Sequence, residues 1–174
     1  MVRLIWPTRL HPGQTRLLVI GDSLAVGLSP PLRDLATSAR MAFEATATVG
    51  TRIDQWADSA GLGQTLGSFR PSLTLISLGT NDEYLTGTDA VSRQREKVRV
   101  LLARIKAAGS DYVWIGPPTL PKPSNGIVSM LRDEIPSSHY YPSDALTIPR
   151  GGDGIHPTAR GYAGWAGALW QWLS

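Results

Sequence analysis

A chain of 174 residues, 42% hydrophobic and 18% charged, has the size and make-up of one packed domain and excludes a disordered tail. It has no cysteine, which excludes disulfides, thiolate nucleophiles and cysteine-bound zinc. A net charge of +3 is too small to mark a nucleic-acid binder, and no run of ~18 apolar residues is present to span a membrane.

The opening "MVRLIWPTRLHPGQTR" has no apolar stretch of signal-peptide length, and Pro7 and Pro12 interrupt it. Residues 1–14 therefore read as an irregular extension, and the chain reads as cytoplasmic by default, with export of a longer precursor left open. "RLLVIG" (16–21) is a buried-strand pattern ending in glycine. Over 24–38, Leu24, Leu28, Leu32 and Leu35 follow helical spacing, with Pro30 and Pro31 expected to bend or restart the helix. "MAFEATATVG" (41–50) predicts a second strand, 52–60 one short helix, and "LTLISLG" (73–79) a third strand.

The clearest helix is 88–108, where Val91, Val98, Leu101, Leu102 and Ile105 form one stripe and Gly109 stands at the C-terminal cap. "YVWIG" (112–116) predicts a fourth strand, and the proline-rich "PPTLPKP" leads to a weaker helix around 126–134. A last strand is expected within 144–148. The final helix spans 157–172, with Trp165, Leu169 and Trp172 on one side. Strands alternating with helices predict a parallel sheet covered on both faces, in one domain without repeats. Chemistry in such a sheet collects at the carboxyl ends of the strands. That brings together Ser23, Gly50 and "GTND" (79–82).

A serine hydroxyl becomes a nucleophile only when a base takes its proton and a third group holds that base. Of three histidines, His156 lies three residues after Asp153 in "GGDGIHPTARGY", a spacing that lets the carboxylate reach one ring nitrogen while the other faces outward. Pro157 suits the first position of the following helix. Charge developing on an attacked carbonyl needs donors, and three are available. They are the Ser23 N–H at a helix start, the Gly50 N–H and the Asn81 side-chain amide.

"GDSL" (21–24), Gly50, "GTND" (79–82) and "DGIH" (153–156) together resemble the four blocks of the SGNH hydrolases, the GDSL esterase/lipase family, in the family's order and over nearly the whole chain. The resemblance implies a flavodoxin-like three-layer α/β/α sandwich with about five parallel strands. It implies Ser23 as nucleophile, His156 as base, Asp153 as its orienting acid, and Ser23, Gly50 and Asn81 as the oxyanion hole. It implies no cofactor and no metal. The block at Gly50 reads "ATVGTRI" and lacks flanking polar residues of the pattern, which leaves Gly50 the weaker of the donors.

Plainer roles compete at each position. Ser23 suits a helix N-cap, Asp153 and His156 a structural pair, and Gly50 and Asn81 ordinary turns. Asp22 reads as support for the turn. As metal ligands Asp153 and His156 lack a third partner. "GLGQTLG" (61–67) looks like a dinucleotide loop but has the wrong glycine spacing and no strand before it. Tyr84 and Leu85 follow Asn81 closely and are candidates to line an acyl pocket.

The function expected is hydrolysis of short-chain carboxylic esters through an acyl-enzyme. The alternative is a carbohydrate O-acetyl esterase, and from another class a catalytically silent carbohydrate-binding module. The partner expected is a small ester or acetylated carbohydrate, with no nucleic acid and no membrane span. Nothing in the sequence speaks to oligomeric state.

Overall fold

The computed structural model describes residues 9–174. Five parallel strands, β1 (Arg16–Gly21), β2 (Ala42–Ala47), β3 (Leu73–Ser77), β4 (Asp111–Ile115) and β5 (Tyr140–Tyr141), form one sheet in the order β2-β1-β3-β4-β5. The helices are α1 (Ser23–Ser38), α2 (Ile53–Ala57), α3 (Ala60–Phe69), α4 (Ala90–Ala107), α5 (Ile127–Glu134) and α6 (Ala159–Leu173). No helix among the described residues is long and apolar enough to cross a membrane. Of the expected extension over 1–14, residues 1–8 lie outside the described part, and 12–14 form a turn.

Alternation along the strands builds two cores. Leu17 and Val19 of β1, with Leu75, Val113 and Ile115, pack on α1 and α6 through Leu24, Leu28, Trp165 and Leu169. Leu18 and Ile20, with Ile76, Tyr112 and Trp114, pack on α2 to α5 through Ile53, Leu62, Val98 and Met130. Successive residues of a strand point to opposite faces, so a sheet covered on both sides needs near-continuous apolar strands. The result is the expected three-layer α/β/α arrangement with five parallel strands.

The sequence reading departs from the structure in several places, one of them Pro157, which pairs with Arg150 ahead of the Thr158 N-cap instead of opening α6. Pro30 and Pro31 do not restart α1, which runs through them as one helix. Pro30 is exposed, while Leu24, Leu28, Leu32 and Ala36 stay buried against the sheet and hold the helix together. The glycine-rich 61–67 segment, to which the sequence assigns no element, is most of α3. Ser59 Oγ caps it by accepting from Leu62 N at 3.2 Å, and Leu62 and Leu66 bury its inner face. A Cβ on Gly63 would stand 3.3 Å from Arg104 Nη2, so the missing side chain lets Arg104 lie close. That guanidinium donates to Ala57 O and Ser59 O, both at 2.7 Å, and closes the end of α2. The last strand is 140–141 rather than within 144–148, where a 3₁₀ turn (Ser143–Ala145) begins. Two residues are too few to carry a readable alternation.

The strand order reverses between β1 and β3, so the crevice beyond their carboxyl ends is the switch point of the sheet. The segments after β1, β2 and β3 open onto it.

Candidate active site

The turn after β1 is built for close approach. Gly21 has φ +150°, and a Cβ there would lie 2.0 Å from Ser77 O of β3, so only glycine lets the chain turn here. Asp22 is fully buried and caps α1, its Oδ1 accepting from Leu24 N at 2.9 Å. Asp22, not Ser23, is thus the N-cap, and Ser23 is the first helical residue. Its hydroxyl is spared the capping role, and its N–H has no acceptor within the helix.

The loop before α6 is a small hairpin. Arg150 and Pro157 form an antiparallel bridge, and Gly151 N donates to His156 O at 2.8 Å. Asp153 Oδ1 accepts from both Ile155 N and His156 N at 2.9 Å, which fixes the carboxylate inside the turn. Its Oδ2 lies 2.5 Å from His156 Nδ1. These contacts, the histidine's first and the two backbone N–H groups next, hold the Asp153 carboxyl down at about 2. With Nδ1 carrying its proton toward this carboxylate, Nε2 is left as the acceptor, and it lies 2.9 Å from Ser23 Oγ. The chain carboxylate, imidazole, hydroxyl can therefore pass a proton from Ser23 to His156 and hold the resulting imidazolium.

Packing of α1 on α6 brings the two loops together. A Cβ on Gly27 would stand 2.0 Å from Tyr162 Cζ, so the Tyr162 ring lies directly over this bare stretch of α1. The ring also stacks on Trp165, centroids 6.4 Å apart. Burial, with the nearby charges of Asp22 and Asp153, pushes the Tyr162 hydroxyl up to about 12, so it stays a neutral phenol. Sequence reasoning passed over Gly27, Tyr162 and Arg150. The only local signal was a glycine inside a helical pattern.

The three candidate donors differ in their state. The turn carrying Gly50 is anchored at both ends: Thr48 N donates to Gly21 O at 2.9 Å, and Thr51 O accepts from Asn81 Nδ2 at 2.9 Å. Gly50 itself is exposed with φ +77°, and nothing lies within 4 Å of where a Cβ would be. Asn81 Nδ2 also makes a longer contact, 3.4 Å, to Asp22 Oδ2. That weak contact is the one an incoming oxyanion can replace. Next to Asn81, Asp82 is buried and accepts from Ile53 N at 3.3 Å, tying this loop to the start of α2. Burial first, with smaller contributions from Asp54 and Asp22, raises the Asp82 carboxyl to about 7, and burial raises Asp22 to about 6.

Tyr84 and Leu85 stand against the 122–125 segment. Lys122 Nζ lies 4.3 Å from the centroid of the exposed Tyr84 ring, and Asn125 Nδ2 donates to Leu85 O at 3.1 Å.

No family model and no curated protein matches this chain. Solved structures do match. A psychrotrophic esterase, EstA, from Pseudoalteromonas sp. superposes with a TM-score of 0.69 at 15% identity, over 92% of this chain and 97% of that one. An acetylxylan esterase from Geobacillus stearothermophilus gives 0.71 at 12% identity, over 95% and 96%. A lipase/acylhydrolase from Enterococcus faecalis gives 0.64 at 18% identity, over 90% and 94%. The chain shares the α/β fold of these proteins over nine-tenths or more of its length.

Proposed function

We propose that the protein is a serine hydrolase of the SGNH type acting on carboxylic esters. The observation that carries this reading is the hydrogen-bonded run from Asp153 Oδ2 through His156 to Ser23 Oγ, 2.5 and 2.9 Å, at the switch point of the sheet. Within that class, its substrates are short acyl esters, acetyl to butyryl. The His156 and Asp153 side chains are 46% and 49% exposed, so among the described residues the site is an open one that does not enclose a long alkyl chain.

On attack, Ser23 Oγ bonds to the ester carbonyl carbon as its proton passes to His156 Nε2. The negative charge on the carbonyl oxygen meets the Ser23 and Gly50 N–H groups and the Asn81 amide. Collapse breaks the bond to the alcohol, which leaves with the proton from Nε2. Water then attacks the acyl-serine, gives its proton to Nε2, and Ser23 is regenerated as the acid departs.

One assay tests both parts: hydrolysis of p-nitrophenyl esters of increasing acyl length by the wild type and by Ser23→Ala. Each further buried methylene is worth ~0.8 kcal/mol, so an open site stops rewarding length early. The expected rate maximum lies at two to four carbons, and Ser23→Ala loses ~10⁴–10⁶ of turnover with its circular dichroism unchanged. A folded Ser23→Ala keeping a tenth of the rate overturns the nucleophile. A maximum at about a dozen carbons overturns the open-site argument alone.

A further inference from the structure

Beside the Gly50 turn, between the end of β2 and helices α2 and α3, lies a cleft of about 380 Å³. Its walls include Thr46, Thr48, Gln55, Ser59, Gln64 and Thr65, and none of the residues lining it carries a charge. Four other cavities of similar size each hold at least one charged residue: Arg9 and Asp111, Arg132, Arg104, or Glu83 with Lys122.

Resting on the ester-hydrolase reading, we propose that this cleft is a subsite for the neutral sugar portion of an acetylated oligosaccharide. Hydroxyls and primary amides both donate and accept, which matches the mixed hydrogen bonding of sugar hydroxyls. An alkyl chain would touch Trp56 and Leu62 but would also strip water from the hydroxyls and amides around them without replacing their bonds. A phosphate or uronate finds no cation to pair with its charge. The volume falls within the ~300–1,000 Å³ of small-ligand sites.

The walls are also held in place. Trp56 Nε1 donates to Thr51 Oγ1 at 2.9 Å, and Gln55 Oε1 accepts from Arg52 N at 2.9 Å, so the Gln55 NH₂ is what faces a ligand. The cleft adjoins the reacting centre through the backbone. Thr48, which lines it, donates to Gly21 O. Thr51, which also lines it, holds Asn81 by its carbonyl at 2.9 Å. A saccharide in the cleft therefore rests on Thr48 and Thr51 of the turn that also carries Gly50.

The test compares p-nitrophenyl acetate with O-acetylated neutral di- to tetrasaccharides for the wild type and a Gln64→Ala/Thr65→Ala double variant. Gln64 is exposed and Thr65 half-buried on the outer turns of α3, so the variant is expected to keep its melting temperature. The expected result is a KM for the saccharides raised about 10-fold, with kcat/KM on p-nitrophenyl acetate within twofold of wild type. Equal losses on both substrates, or an unchanged saccharide KM, overturn the subsite. A wild type that hydrolyses no p-nitrophenyl acetate overturns the hydrolase reading itself. Independently of turnover, amide resonances of Gln64 and Thr65 in Ser23→Ala should shift on adding an unacetylated neutral trisaccharide and not a uronic acid of the same length. No shift, or equal shifts from both, overturns the proposal.

Discussion

The turn that carries Ser23 is sealed into the molecule. Gly21, Asp22 and Leu24 around it are buried, Gly21 abuts β3, and Gly27 one turn on is pressed under Tyr162. The loop that carries Asp153 and His156 has about half of each of those side chains in solvent, and polar bonds hold it: the Arg150–Pro157 bridge, Gly151 N to His156 O, and three contacts to the Asp153 carboxylate. One half of the site is positioned by steric fit and the other by a hydrogen-bonded hairpin. Steric errors propagate through a close-packed interior, whereas the loss of an exposed polar bond stays local. Substitutions in the first half should therefore cost stability together with activity, and those in the second activity alone.

The largest effect expected in the loop half is that of Asp153→Asn. An amide no longer stabilises the imidazolium and favours the wrong imidazole tautomer, which costs ~10⁴ in turnover. Because about half of the Asp153 side chain is in solvent and asparagine keeps an oxygen for the backbone N–H groups, the melting temperature should stay within about 2 °C of wild type. A variant keeping more than a tenth of the rate would remove Asp153 from the proton path.

In the packed half, Gly27→Val is the sharpest break. Its Cβ would overlap the Tyr162 ring, so α1 and α6 must part. Overpacking of this kind costs ~1–3 kcal/mol or more, and at this chain length 3 kcal/mol lowers the melting temperature by roughly 6–12 °C. Turnover should fall with it, since the same contact sets the distance from Ser23 to His156. Thermal melts and rates on a short ester decide the matter: full activity at lowered stability would break the link between this packing and the site.

How much of this was legible depended on whether the physics was local in sequence. Gly21, Asp22 and Ser23 are consecutive, and Asp153 sits three residues from His156, so one turn's chemistry could be read from one stretch. The continuous apolar run from Leu17 to Ile20 marked a buried strand in the same way. α3 was missed because its three glycines obscure a helical pattern, and the one that packs tightly, Gly63, answers to Arg104, a residue of α4 some forty positions on. β5 was misplaced because Tyr140 and Tyr141 become a strand only by pairing with Trp114 and Ile115. Gly27 meets Tyr162 only once the helices are docked, and no periodicity announces such a pair.

The packed half also carries a pH signature. Asp82 and Asp22 are buried, with carboxyls raised to about 7 and about 6. Between about 4 and 7 the folded protein keeps a proton on Asp82 that the unfolded chain has released, so stability falls as pH rises through that window. Asp82→Asn removes the dependence while keeping an oxygen for Ile53 N. Its stability relative to wild type should rise by about 2–3 kcal/mol from pH 5 to pH 8, read from denaturant melts at the two pH values. A constant difference would mean that Asp82 titrates as an ordinary carboxylate.

The smallest effect, and the finest test of the contrast, belongs to Arg150. Its guanidinium donates to Ile155 O on the hairpin and, at 3.1 Å, to Thr119 O in the proline-rich 117–123 segment. It thus ties the hairpin that carries His156 to a second wall of the crevice. Arg150→Ala leaves Gly151 N on His156 O and the contacts of Asp153, so the hairpin itself persists. What is lost is its anchorage, and slight misplacement of a catalytic group costs rate far more than binding. The expected result is about a 10-fold fall in kcat with KM and melting temperature nearly unchanged. Arg150→Lys should recover only part of the loss, because an ammonium does not reproduce the planar fork that spans two carbonyls. A fall in melting temperature matching that of Gly27→Val would show that the loop half is held by packing after all, and would erase the distinction between the two halves.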